Sequence, residues 1–144
     1  MRYLYSCPLR WSDMDAFGHV NNAVFVRYLE EARIDFMRRL APGGGSPSFT
    51  GGSVVARHEL NYLRQLVHRH SPVDIELWVT KISAASMTIA YEVKDDTTLY
   101  LRASTVVVPF DFERERPRRI TAEEKAILKE YLDDSSHQEE AAAV

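Results

Sequence analysis

Two aspartates one residue apart, Asp13 and Asp15, are followed by Gly18, His19 and the adjacent pair Asn21 and Asn22 in the stretch RWSDMDAFGHVNNAVFVRYLEEAR, Arg10 to Arg33. Carboxylates are ionised at neutral pH, so either aspartate could act on a carbonyl carbon as a nucleophile or activate a water as a general base. The segment leads into a stretch of helical periodicity. The first backbone amides of a helix have no partner within it and carry the positive end of its dipole, so they are donors ready for an oxygen that gains negative charge. Asn21 or Asn22 would cap that end, and Gly18 would let the backbone turn sharply. The same residues also fit a plain turn: aspartates as turn formers, asparagines as caps, His19 as an exposed side chain. Spacing alone leaves both open. A metal site built from Asp13, Asp15 and His19 would lack a visible fourth ligand, and no metal is expected. No G-x-S-x-G nucleophile elbow occurs, and Gly43 to Gly45 are not followed by the Lys and Ser/Thr of a phosphate loop.

The elements that must position these groups follow from periodicity. Tyr3, Tyr5, Cys7, Leu9 and Trp11 alternate with polar residues, which predicts a half-buried strand ending at the aspartates. From Asn22, Phe25, Leu29, Ala32, Phe36 and Leu40 recur at helical spacing, with Arg27, Glu30, Glu31 and Arg38 on the far side, so a helix of about five turns is expected. The stretch APGGGSPSFTGG, Ala41 to Gly52, should stop it and form a mobile loop. Four strands in succession then follow: SVVARHELNYLRQL, then runs around Val73 to Val79, Met87 to Val93 and Leu99 to Val107. The links ISAAS and KDDTT leave room only for hairpins, which makes these strands an antiparallel meander. A second, short helix should begin near Thr121, with Glu124 completing a capping box. The expected organisation is one domain over residues 1–132, with an acidic tail at 133–144.

Composition narrows the function classes. The 144 residues are 45% hydrophobic and 27% charged with a net charge of −3, which lacks the basic excess of a nucleic-acid binder. Cys7 is the single cysteine, so no internal disulfide and no cysteine metal site can form. The start, MRYLYSCPLRW, has no apolar core long enough for a signal peptide, and no run approaches the ~20 apolar residues that span a bilayer, so a cytoplasmic location without membrane attachment is expected. A single antiparallel sheet with one helix across a face leaves long strand edges that invite a second copy, so a homodimer is the economical solution.

The stretch SDMDAFGHVNNAVFVRYLEEAR, together with the strand NYLRQL, resembles the hotdog-fold acyl-CoA thioesterases of the 4-hydroxybenzoyl-CoA thioesterase type, over roughly residues 2 to 110. The resemblance implies an α+β hotdog fold: a curved antiparallel five-stranded sheet wrapped around one long central helix, with a short C-terminal helix. It also implies hydrolysis of a thioester to a carboxylic acid and free coenzyme A without a cofactor, in a homodimer or dimer of dimers whose active sites lie between protomers. By position, Asp15 matches the catalytic carboxylate, as nucleophile or general base, and the backbone amide of Asn22 matches the donor to the carbonyl oxygen. Asp13 is a supporting residue, His19 would orient Asp15 or line the pocket, and Tyr62 would line the acyl site. Gln65 replaces the proline that relatives often carry after the Tyr-containing strand. Arg64, His68, Arg69 and His70 form a basic stretch that could meet the phosphates of coenzyme A, and RERPRR, Arg114 to Arg119, is a second candidate. Two alternatives stand beside this reading: a hotdog hydratase or dehydratase, for which DMDAFGH lacks a D-x-N-P-x-H order, and a non-catalytic module binding acyl-CoA or acyl carrier.

Overall fold

The computed structural model describes residues 1–40 and 52–133. The chain runs through β1 (Tyr3–Cys7), a 3-10 turn (Trp11–Asp13), α1 (Asn22–Leu40), β2 (Ser53–Tyr62), β3 (Val73–Ile82), β4 (Met87–Lys94), β5 (Leu99–Asp111), the two-residue β6 (Arg116–Pro117) and α2 (Ala122–Lys129). The strands form one antiparallel sheet in the order β1-β3-β4-β5-β2, with β6 added beside the end of β5. Register shifts between Val55 and Arg57 in β2, Val79 and Lys81 in β3, and Val93 and Lys94 in β4 act as bulges, which increase local twist and curve the sheet. The loop expected at 41–52 and the tail expected at 133–144 lie outside the described residues apart from their Gly52 and Asp133; the Gly52 carbonyl accepts the Phe110 N–H at 3.0 Å, and Asp133 donates its N–H to the Val79 carbonyl at 2.8 Å.

Alternation sorts the strands into two faces. Val73, Ile75, Leu77 and Val79 of β3, Ile89, Tyr91 and Val93 of β4, and Leu101, Ala103 and Val107 of β5 are buried in a core shared with Phe25, Leu29, Ala32 and Phe36 of α1. Each large apolar side chain so buried stabilises the fold by roughly 1.5–3 kcal/mol relative to exposure, which makes the helix stripe the main cover of this face. On the other face Glu76 and Glu92 are direct cross-strand partners. Their repulsion is offset by Arg2, within 3.0 Å of both, by Lys94 at 3.0 Å from Glu76, and by Arg102 at 3.3 Å from Glu92. The Arg2 guanidinium also sits 3.7 Å from the centre of the Trp78 ring.

Two expectations are corrected here. β1 ends at Cys7 and not near Trp11: Pro8 has no N–H for a ladder, and the chain closes instead into the 3-10 turn, leaving Trp11 exposed. The four-strand meander is a three-strand one, β3-β4-β5, because β2 crosses to the far edge and pairs with β5 from Ser53↔Pro109 to Tyr62↔Leu101. The connection Leu63 to Pro72 is too long for a hairpin. It is anchored on the way: the Leu63 and Arg64 N–H groups both donate to the Tyr100 carbonyl, at 2.9 and 3.2 Å, and the Leu66 carbonyl accepts from the Val20 N–H at 2.7 Å.

Candidate active site

The catalytic candidates sit on a loop that closes on itself before α1. Met14 and Val20 form an isolated antiparallel bridge, and the Asp15 N–H donates to the His19 carbonyl at 2.9 Å. The turn between them is closed by the Gly18 N–H on the Asp15 carbonyl at 3.1 Å, with Gly18 at φ +81°, a conformation that costs glycine little and other residues more. The Asp15 carboxylate is held on both oxygens: Oδ1 accepts the Phe17 N–H at 2.9 Å and Oδ2 accepts from the Asn21 side-chain Nδ2 at 3.3 Å. Asn21 also caps the helix, its Oδ1 accepting from the Ala23 N–H at 2.9 Å. The next amide, Asn22 N–H, has no acceptor among the described residues.

Asp13 and Asp15 end up in different surroundings although one residue separates them. Asp13 is buried: its Oδ2 accepts from the Tyr28 hydroxyl at 2.5 Å and from the Arg10 N–H at 3.1 Å, while Arg10 Nη2 lies 3.2 Å from Oδ1. Burial alone would raise the Asp13 pKa, but the Tyr28 hydroxyl and the Arg10 backbone and guanidinium together hold it below the usual carboxylate value. The Tyr28 hydroxyl is pushed up in turn, by burial and by the bond to Asp13. The Asp13 carbonyl accepts the Asn21 N–H at 3.0 Å, which ties the base of the loop to the start of the helix.

Asp15, His19, Asn21, Asn22, Tyr62 and Arg64 line one open groove of about 620 Å³, together with Phe17, Phe25, Gln65 and neighbouring backbone. Its walls come from the loop, the first turn of α1 and the end of β2. The Tyr62 hydroxyl donates to the Asn22 carbonyl at 2.9 Å, and its ring meets Phe25 edge-on at 5.7 Å. Partial desolvation raises the pKa of that hydroxyl above the ordinary tyrosine value. Asp15, the helix-start residue Asn22 and the aromatic residues Phe17, Phe25 and Tyr62 therefore share the lining of one cavity of a size suited to a small molecule.

Of the expected site residues, the structure gathers Asp15, Asn22, His19, Tyr62 and Arg64 around this groove. It places Asp13 behind the loop. His68 and Arg69 are not among the lining residues: the His68 N–H donates to the Met14 sulfur at 3.3 Å, and its ring lies 6.0 Å from that of His70. Arg69 is committed elsewhere, with Nη1 on Asp95 Oδ2 at 2.6 Å, Nε on the Ser71 carbonyl at 3.3 Å and Nη2 on the Pro72 carbonyl at 3.1 Å. Sequence reasoning took Asn21 only as a cap and missed its hold on Asp15; the six-residue spacing across a glycine-closed turn was the available signal. Phe17, Phe25 and Gln65 also went unread as lining residues. Among the described residues no group of three or more His, Cys, Asp or Glu is arranged to hold a metal, and no helix is long and apolar enough to cross a membrane.

Comparison with known proteins places this arrangement. The chain is 31% identical over 83 residues to the uncharacterized protein YsmA of Bacillus subtilis, a match spanning 58% of this chain and 54% of that protein, so it spans about half the length of that curated relative. Its fold matches a predicted thioesterase from Bacillus stearothermophilus with a TM-score of 0.84 at 22% identity, covering 94% of this chain and 100% of that one. A thioesterase from Thermus thermophilus, solved in complex with coenzyme A and zinc, matches with a TM-score of 0.74 at 26% identity, over 89% of this chain and 92% of that one. The curved sheet, the helix packed on its concave face and these likenesses make this a hotdog fold. The pattern of the Thioesterase-like superfamily matches residues 9–129, and the chain belongs to that superfamily.

Proposed function

We propose that this protein hydrolyses an acyl-CoA thioester to a carboxylic acid and free coenzyme A. The observation that carries the reading is that Asp15, its carboxylate held by the Phe17 N–H and the Asn21 amide, and Asn22, whose N–H has no acceptor among the described residues, line the same groove. With the thioester carbonyl oxygen on the Asn22 amide, Asp15 attacks the carbonyl carbon or takes a proton from a water that does. The C–S bond then breaks and the thiolate leaves. Where Asp15 acts as base, the proton it took from the water passes to the thiolate. Where Asp15 is the nucleophile, a water hydrolyses the mixed anhydride, which releases the acid, frees the carboxylate and supplies the thiolate's proton. A single donor placed where the oxyanion develops is worth about 3 kcal/mol of barrier. In this reading the carboxylate, the amide and a water carry the chemistry without a metal or organic cofactor.

The structure of a relative with coenzyme A supports the coenzyme as thiol carrier. Arg64, an exposed lining residue of the groove, and His68 are the side chains proposed to meet its phosphates. β2 pairs with β5 on one side only and exposes Val54, Val55 and Tyr62, so among the described residues its outer edge is open to a second copy. A homodimer joined there would bring a partner protomer to the groove beside Tyr62 and complete its wall.

The test is thiol release from a panel of acyl-CoA thioesters by the purified full chain. Release by the wild type together with a fall of about 100-fold or more in kcat for Asp15→Ala is expected. A wild type that releases no thiol, or an Asp15→Ala variant at the wild-type rate, would overturn the reading.

A further inference from the structure

We infer that Asn21 is a positioning residue that locks the Asp15 carboxylate to the first turn of α1, a step that rests on the thioester-hydrolysis reading above. All four of its polar groups are engaged. The N–H donates to the Asp13 carbonyl at 3.0 Å, the C=O accepts the Val24 N–H at 2.9 Å, Oδ1 accepts the Ala23 N–H at 2.9 Å, and Nδ2 donates to Asp15 Oδ2 at 3.3 Å. The amide can be oriented in one way only: the Ala23 N–H is a donor and needs the oxygen, which leaves the nitrogen for the carboxylate.

One short, planar side chain therefore spans the two halves of the site. On one side it holds the carboxylate. On the other it holds the helix start, and the peptide group that carries the Asn22 N–H is its own. The distance between attacking group and oxyanion donor is set through this amide, because Asp13, at the other end of the Asn21 backbone, is itself fixed by Tyr28 and Arg10. His19, the residue expected to orient Asp15, contributes its carbonyl to the loop; the carboxylate's partners are the Phe17 N–H and Asn21.

A cap and a linking clamp predict different outcomes for two conservative variants. Serine and aspartate are both good helix caps, so Asn21→Ser and Asn21→Asp keep an acceptor for the helix amides; an ionised aspartate has no donor for Asp15, and the serine hydroxyl sits one bond nearer the backbone than the Asn21 nitrogen and falls short of the carboxylate. Asn21→Asp also sets a second carboxylate beside Asp15. With an acyl-CoA turned over by the wild type, kcat is expected to fall roughly tenfold for Asn21→Ser and about 100-fold for Asn21→Asp, with KM within about twofold and the melting temperature nearly unchanged. Asn21→Ala should lose both rate and melting temperature.

If Asn21→Ser and Asn21→Asp retain the wild-type kcat, or if their loss is in KM, the inference is overturned. That result stands apart from failure of the functional reading, because in the same experiment Asp15→Ala is then still inactive and the wild type active. A wild type without thiol release overturns both.

Discussion

Removing the Asp13 carboxylate tests whether the loop is anchored from below. In Asp13→Ala two charge-assisted hydrogen bonds disappear, those from the Tyr28 hydroxyl and the Arg10 N–H, and the buried hydroxyl is left without its acceptor. Each such bond contributes about 1.5–3 kcal/mol. The Arg10 guanidinium is mostly exposed, so its ion pair adds well under 1 kcal/mol after solvent screening. The expected cost is about 3–5 kcal/mol, a large part of the ~5–15 kcal/mol that holds a domain of this size folded. Tyr28→Phe should cost about 2 kcal/mol, and Asp13→Asn about 1–2 kcal/mol, since the amide keeps one acceptor but turns donors toward Arg10. Urea unfolding of the three variants and of the Asp13→Ala/Tyr28→Phe double variant measures these values and a coupling of about 2 kcal/mol. The pH dependence has a fixed sign. A carboxylate whose pKa is lower folded than unfolded stabilises fully above its unfolded value, and that contribution is lost as pH falls through the folded one. The wild type should thus lose stability on acidification more steeply than Asp13→Asn. A cost below about 1 kcal/mol for Asp13→Ala, or a coupling of zero, would refute the anchoring argument.

Two further outcomes are expected. Arg69→Ala should lower stability by about 1–2 kcal/mol and leave KM for acyl-CoA within about twofold, because its guanidinium serves Asp95 and two carbonyls, whereas Arg64→Ala should raise KM severalfold with stability unchanged; steady-state kinetics and thermal melting separate them. Glu124 is buried and accepts both Arg118 Nη1 at 2.8 Å and Nη2 at 2.9 Å along with the Thr121 N–H at 2.8 Å, so Glu124→Ala should cost about 3 kcal/mol in denaturant unfolding. Burial opposes its ionised form, but Arg118 and Thr121 lower its pKa overall, so this contribution too is present above the ordinary carboxylate range and lost on acidification.

What the sequence made legible was local. The α1 stripe, the two hairpins joining β3, β4 and β5, and the Thr121–Glu124 capping box all depend on residues a few positions apart, and all stand as expected. The crossover of β2 was not legible, because β2 alternates no differently at an edge than in a meander and its partner β5 begins 37 residues after it ends, at Leu99 against Tyr62. Spacing alone could not tell the two aspartates apart for the same reason, and it was the family resemblance that singled out Asp15. Only the packing of Tyr28, fifteen residues on, makes Asp13 a buried anchor and leaves Asp15 facing the groove. Arg69 read as a free cation because its acid, Asp95, is 26 residues distant. Arg118 in the second basic stretch is likewise committed, here to Glu124.

The ring of backbone from Met14 to Val20 divides labour within seven residues. Its two legs are fastened to the body of the domain, while Ala16, Phe17 and Gly18 at the crest are exposed and none of their side chains bonds the Asp15 carboxylate. Phe17 contributes only its main chain to Asp15, yet its ring borders the cavity. Exchanging that ring for another side chain would reshape what the cavity admits without removing a bond to the Asp15 carboxylate. Under the proposed function, selectivity could then drift by single substitutions at the crest while the proposed chemistry stays in place.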